Sequence, residues 1–170
     1  MRRYDARVND VYLGLGTNLG DRIANLREAL SALEQHVAVA NKSSVYESLP
    51  QGVGEQPLYL NMVVEVSTTL TPHALLAAVK AVESARGRAP HSHNLPRPID
   101  IDILMYGECV VSEEDLTIPH PALHERAFVL VPLEEIAALH MHPTRGRSII
   151  DLLDALGGYD ALVWRAEHQL

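Results

Sequence analysis

The chain predicts an α+β fold in which an antiparallel sheet is covered on one face by two helices, and three observations carry this. Residues 11–16, 59–66 and 99–106 alternate apolar and polar side chains with a period of two, as half-buried strands do. Residues 21–35 and 71–85 space their leucines, isoleucines and valines at helical intervals instead. With a β-branched segment at residues 37–46, the order is strand, helix, strand, strand, helix, strand, which is the split-βαβ or ferredoxin-like βαββαβ arrangement.

In the first strand Val11, Leu13 and Leu15 face the core. Tyr12, Gly14 and Gly16 take the other face, where missing side chains leave room for a ligand. The turn Thr17-Asn18-Leu19-Gly20-Asp21 ends in an N-cap, and Ile23, Leu26, Leu30 and Leu33 form the stripe of the first helix. Residues 37–46 predict one second strand, followed by a loop with two glycines and a proline at 48–54. In the third strand Leu60, Met62, Val64 and Val66 face one way, and Tyr59, Asn61 and Glu65 the other. Thr71 caps the second helix with Pro72 at its first position, and Leu75, Leu76, Val79 and Val82 form its stripe.

Residues 86–98 hold three prolines and no periodicity, which predicts a long irregular loop of the kind that forms lids. The fourth strand follows at 99–106. Beyond it come a hairpin arm over 109–118 and a turn at Pro119-His120-Pro121. A short helix over 127–137, interrupted at Pro132, precedes a last helix capped by Ser148 and closed by Gly157-Gly158. No repeat or linker divides the chain, so residues 1–170 are expected to form one domain with its core at about 10–157.

A net charge of −8 argues against a nucleic-acid module, which shows a basic stripe. Positive charge gathers locally instead, at Arg86, Arg88 and Arg97, and suits a metal-complexed polyphosphate. The single cysteine, Cys109, excludes an internal disulfide framework and fits a reducing compartment. No secretory leader or membrane-length apolar run is present, so a soluble, cytoplasmic protein is expected.

Arg97-Pro98-Ile99-Asp100-Ile101-Asp102-Ile103-Leu104 is the stretch richest in chemistry. Its isoleucines face the core and so direct Asp100 and Asp102 to the opposite face, about 6.6 Å apart along the strand. Two carboxylates so placed can share a pair of hard cations held about 3.5–4 Å apart. The glycines at 14, 16 and 20 miss the dinucleotide fingerprint by one residue, and no acidic residue closes the second strand. His91 and His93 lack the partners of a zinc site. His120, just past a strand and followed by Arg126 and Phe128, is the histidine to single out.

Gly14-Leu15-Gly16-Thr17-Asn18-Leu19-Gly20, Ser43-Ser44-Val45-Tyr46, Gln56-Pro57-Leu58-Tyr59-Leu60-Asn61, Gly87-Arg88, the stretch from Pro96 to Leu104 and Pro119-His120 together resemble the 6-hydroxymethyl-7,8-dihydropterin pyrophosphokinases of folate biosynthesis. The resemblance implies pyrophosphoryl transfer from ATP to the pterin's hydroxymethyl group, with release of AMP. It implies that Asp100 and Asp102 hold two Mg²⁺ ions and that Arg88 and Arg97 clamp phosphates, these four being the catalytic set. Glu83, His120 and Arg126 would add ATP contacts. Ser48, Leu49, Tyr59, Asn61 and Phe128 would hold the pterin, the Ser48–Leu49 segment through its backbone. Departures from the pattern are Pro90 where a second arginine is usual, Lys80 where a glutamine is usual, and a histidine-bearing lid. A monomer acting on small molecules, with neither nucleic acid nor membrane as partner, is expected. The alternatives are a non-catalytic ferredoxin-like binding module and a metal-dependent phosphohydrolase.

Overall fold

The computed structural model describes residues 8–52, 54–87 and 95–170. Strand β1 (Val8–Thr17) runs antiparallel between β4 (Tyr59–Thr68) and β5 (Asp100–Tyr106). The outer side of β4 pairs with two short strands, β2 (Ala38–Lys42) near one end and β3 (Tyr46–Ser48) near the other. Strand β8 (Val163–Arg165) then extends the sheet from β3, giving the order β5-β1-β4-β3-β8 with β2 beside β4.

The second strand is therefore split where one was expected. At the break Ser43 still meets Val63, its amide donating to the Val63 carbonyl at 2.9 Å, but its hydroxyl takes the place of its carbonyl and accepts from the Val63 amide at 2.9 Å. Ser44 donates to Glu135 through both its amide and its hydroxyl, at 2.9 and 2.8 Å, and Tyr46 adds its hydroxyl at 3.0 Å. A polar knot thus fastens the break to the helix above it. Burial first, and then the Glu135 bond, push the Tyr46 phenol up to about 12.

Helices α1 (Arg22–Leu33) and α2 (Pro72–Ala85) cover one face, with Asp21 and Thr71 as N-caps. Val11, Leu13, Leu15, Leu60, Met62, Val64, Val66 and the isoleucines at 99, 101 and 103 fill the core beneath them. A small hairpin, β6 (Val111–Ser112) with β7 (Thr117–Ile118), leads into a cis Ile118–Pro119 bond and a 3-10 turn at Leu123–Glu125.

Helices α3 (Ala127–Ala137) and α4 (Ile149–Leu156) cover part of the opposite face, over Tyr12, Val63, Leu104 and Met105. Tyr12 thus lies in a second core, where its ring meets His140 edge-on at 5.2 Å, and not on a ligand-facing surface. Helix α3 also runs unbroken through Pro132. The ring removes one helical hydrogen bond, yet it is buried in a helix apolar nearly all round, and that burial offsets a loss of about 3 kcal/mol. Ser148 and Asp151 form a reciprocal capping box at the start of α4. Among the described residues no helix is long and apolar enough to cross a membrane.

Candidate active site

The uncovered part of the second face is a cavity of about 370 Å³. Its floor is set by register: Gly14 lies opposite Asp102 and Gly16 opposite Asp100, so no neighbouring side chain crowds either carboxylate from β1. An extra residue in β5 between the partners of Tyr12 and Leu13 lets Leu104 and Met105 both enter the second core. The two aspartates remain aligned below that irregularity. Their side chains are half-buried, while Ile99, Ile101 and Ile103 are buried beneath the sheet.

Arg97 reaches Asp100 with Nη1 to Oδ2 at 3.0 Å and turns Nε to the Leu95 carbonyl at 3.2 Å. Asn18 fixes its backbone: the Arg97 amide donates to Asn18 Oδ1 at 2.9 Å, and the Asn18 amide donates to the Arg97 carbonyl at 3.2 Å. His120 lies with Nε2 3.9 Å from Asp102 Oδ2. Its Nδ1 accepts from the Ala122 amide at 3.2 Å, which leaves the ring proton on Nε2, facing the aspartate. Burial first, then the positive charge of Arg126, lowers the imidazole to about 4, so it is neutral at pH 7. Arg126 itself stands over the Phe128 ring, 5.7 Å from its centre.

The other end of the cavity is aromatic and amide-bearing. Asn61 donates from Nδ2 to Ser48 Oγ at 2.8 Å, which orients the amide with its oxygen toward Gly16. Tyr59, Leu49, Phe128 and Gln51 complete this wall. The Leu49 amide already donates to the Leu162 carbonyl at 3.1 Å, so a ligand cannot also take that hydrogen. This narrows the expectation that the Ser48–Leu49 backbone reads a pterin edge.

Arg97, Asp100, Asp102, His120, Arg126, Ser48, Leu49, Tyr59, Asn61 and Phe128 all line the one cavity. Arg88, with the lid histidines His91 and His93, lies outside the described residues. Glu83 is brought near without lining the cavity. Buried in α2, it accepts from the Ile101 amide at 2.7 Å and from Lys80 Nζ at 3.0 Å, so it braces the strand between the two aspartates. Burial raises its pKa against the lowering effect of those two bonds. Lys80 from the same helix lines the cavity, and a nucleotide contact at Glu83 stays an expectation.

Two residues here are not among the expected site residues, although Lys80 is one of the departures from the pattern. Lys80 carried a signal, three residues before Glu83 on the same helix face. Asn18 carried almost none beyond its place in a turn. It is buried, and its Nδ2 also donates to Gln56 Oε1 at 3.1 Å and to the Pro57 carbonyl at 3.4 Å. One amide thus joins the Arg97 end to the segment preceding Tyr59. Asn18→Ala is expected to raise the Michaelis constants of ligands at both ends and to cost about 1–3 kcal/mol of stability, because buried partners lose their bonds. Steady-state kinetics and denaturant unfolding check both. A change in stability alone would reduce Asn18 to a structural role.

Gly16 gives a cleaner local probe. A Cβ there would sit 3.3 Å from Asn61 Oδ1, so Gly16→Ala should tilt the amide and weaken the ligand held by Asn61 about tenfold, the loss of roughly one hydrogen bond. Isothermal titration with that ligand and with a nucleotide should show the loss for the first alone.

The family model for 7,8-dihydro-6-hydroxymethylpterin-pyrophosphokinase matches residues 12–138. The 2-amino-4-hydroxy-6-hydroxymethyldihydropteridine pyrophosphokinase of Bacillus subtilis is 43% identical over 130 residues, covering 75% of this chain and 78% of that protein. The folic acid synthesis protein FOL1 of Dictyostelium discoideum is 44% identical over 136 residues, 80% of this chain. The mitochondrial folate synthesis bifunctional protein of Pisum sativum is 38% identical over 160 residues, 88% of this chain. The matched region spans only 21% and 31% of the length of these last two proteins. In fold, the chain is similar to the Plasmodium falciparum HPPK-DHPS crystallised with pterin and p-hydroxybenzoate, with a TM-score of 0.76 at 16% identity over 97% of this chain and 46% of that one.

Proposed function

The chain belongs to the 7,8-dihydro-6-hydroxymethylpterin-pyrophosphokinase family, and from that premise we propose that it transfers the terminal pyrophosphoryl group of ATP to 6-hydroxymethyl-7,8-dihydropterin. The hydroxymethyl oxygen attacks the β-phosphorus and the bond from that phosphorus to the bridging α,β-oxygen breaks. AMP leaves with the bridging oxygen, and the hydroxyl proton passes to solvent. The observation that supports this best is the two-ended cavity, with carboxylates and cations at one end and flat rings beside an oriented amide at the other.

Asp100 and Asp102 supply only hard oxygen donors from one strand face, a set that fits Mg²⁺. We assign them two such ions, which when bound would neutralise phosphate charge. Arg97 and Arg126 grip phosphate oxygens, Arg97 with the planar fork that suits bidentate contact. Lys80, held by Glu83, adds a further positive charge, and Arg88 is assigned to the same work by the resemblance. Neutral His120 donates from Nε2 without adding charge. Tyr59 and Phe128 flank the pterin, while Asn61 Oδ1 accepts from its edge. A cytoplasmic monomer remains part of the proposal.

Incubation with ATP, Mg²⁺ and the hydroxymethyl pterin, followed by measurement of AMP, tests the reading. AMP formed only when the pterin is present supports it. Phosphate released without pterin would favour a phosphohydrolase, and binding without turnover a non-catalytic module.

A further inference from the structure

The 3-10 turn at Leu123–Glu125 directs His124 into a second cavity, of about 390 Å³, while its neighbours His120 and Arg126 line the first. His124, Thr144, Arg145 and Arg147 make its polar side, and Leu152, Ala155 and Leu156 its apolar wall. None of these described lining residues is acidic, although the chain carries 22 acids against 14 lysines and arginines. Two acids stand at its border: Asp151, tied into the capping box with Ser148 and facing Arg147, and Glu125, against His124.

The polar side is also frustrated. His124 Nε2 lies 2.7 Å from Arg145 Nη2 and 3.0 Å from Glu125 Oε1. A single ring nitrogen cannot accept from the arginine and donate to the carboxylate at once. A protonated His124 satisfies Glu125 but confronts Arg145; a neutral one satisfies Arg145 but turns a lone pair on Glu125. Buried His142, close behind, is held below its usual pKa by burial and then by Arg145 and His124, which shows the same crowding of positive charge. An anion that accepts from Arg145 in place of the ring nitrogen frees the Nε2 hydrogen for Glu125 and removes the conflict.

We propose that this cavity binds a phosphorylated organic anion, with the phosphate held by Arg145 and Arg147 and the apolar part laid on Leu152, Ala155 and Leu156. Guanidinium forks are the groups best matched to phosphate oxygens. The site is separate from the pyrophosphokinase centre and stands or falls without it.

Amide-resolved NMR of the whole chain provides the test, with inorganic phosphate and phenyl phosphate as probes and ionic strength fixed with NaCl. Both probes should shift the amides of Thr144, Arg145, Gly146 and Arg147 saturably, phenyl phosphate at a several-fold lower concentration. Arg145→Gln should weaken this about tenfold or more, the loss of a charge-assisted bond, and Arg145→Gln/Arg147→Gln should abolish it. AMP formation should be unchanged in both variants. Arg147 also holds the Asp151 carbonyl at 2.9 Å, so the single variant, whose side chain reaches His124 instead, separates lost binding from a disturbed loop. Absence of saturation, an equal response to NaCl alone, or an unchanged response in the double variant would each overturn the site. Equal affinities for the two probes would overturn the organic ligand in favour of free phosphate.

Discussion

Asp102→Asn is expected to lower turnover by about three orders of magnitude, equivalent to roughly 4 kcal/mol of transition-state stabilisation. The substitution keeps shape and volume, removes one of two like charges on a half-buried strand face, and leaves the isoleucine core untouched. Stability should therefore hold or rise slightly. Asp100→Asn should cost as much in turnover and also loosen Arg97, whose Nη1 lies 3.0 Å from Asp100 Oδ2, so ATP affinity falls as well. Titration of AMP formation against Mg²⁺, with circular dichroism as a control, reads both effects. A double variant that retained near-normal magnesium-dependent turnover would remove both residues from the metal role.

Arg97→Ala should reduce kcat/KM by about two to three orders of magnitude, because it deletes phosphate contacts and the ion pair that Arg97 makes with Asp100 at 3.0 Å. The expected loss falls on ATP binding and turnover together: the Arg97 backbone is tied to Asn18 on both its amide and carbonyl, and Pro96 and Pro98 flank it. Its position is set before the substrate arrives. Arg97→Lys should recover less than a tenth of the loss, since a point charge cannot reproduce a planar fork. Full recovery with lysine would mean that charge alone matters at this position, and measured KM and kcat for the pair decide it.

The strand carrying Asp100 and Asp102 was legible because its chemistry is local: a period of two fixes which side chains share a face, whatever lies beyond. Both core helices were legible for a similar reason, their caps and stripes lying within a dozen residues. Long-range bonds hid the rest. The break between β2 and β3 depends on Glu135, about ninety residues away in sequence from Ser44 and Tyr46. Tyr12 sits on the expected strand face, but which half of that face stays open is decided by α3 and α4. Asn18 is an ordinary turn residue until Arg97, Gln56 and Pro57 converge on it. Strand β8 is three residues long, too short to show a period.

That short strand bears on how the molecule ages. Val163–Arg165 supplies the outer partner of β3, and the Leu162 carbonyl holds the Leu49 amide; Ala166 and Gln169 meet the backbone of Val45. Strand β3 carries Ser48, the group that orients Asn61. Proteolytic trimming behind Gly158 would leave a three-residue strand as a bare edge, with half its backbone groups unpaired and free to fray. The two aspartates, on β5 at the opposite border of the sheet, would not feel the loss. Nicked and intact molecules in one preparation would then grip nucleotide alike and differ in their hold on the second substrate. Apparent heterogeneity in pterin affinity would thus report the integrity of the carboxy-terminal dozen residues.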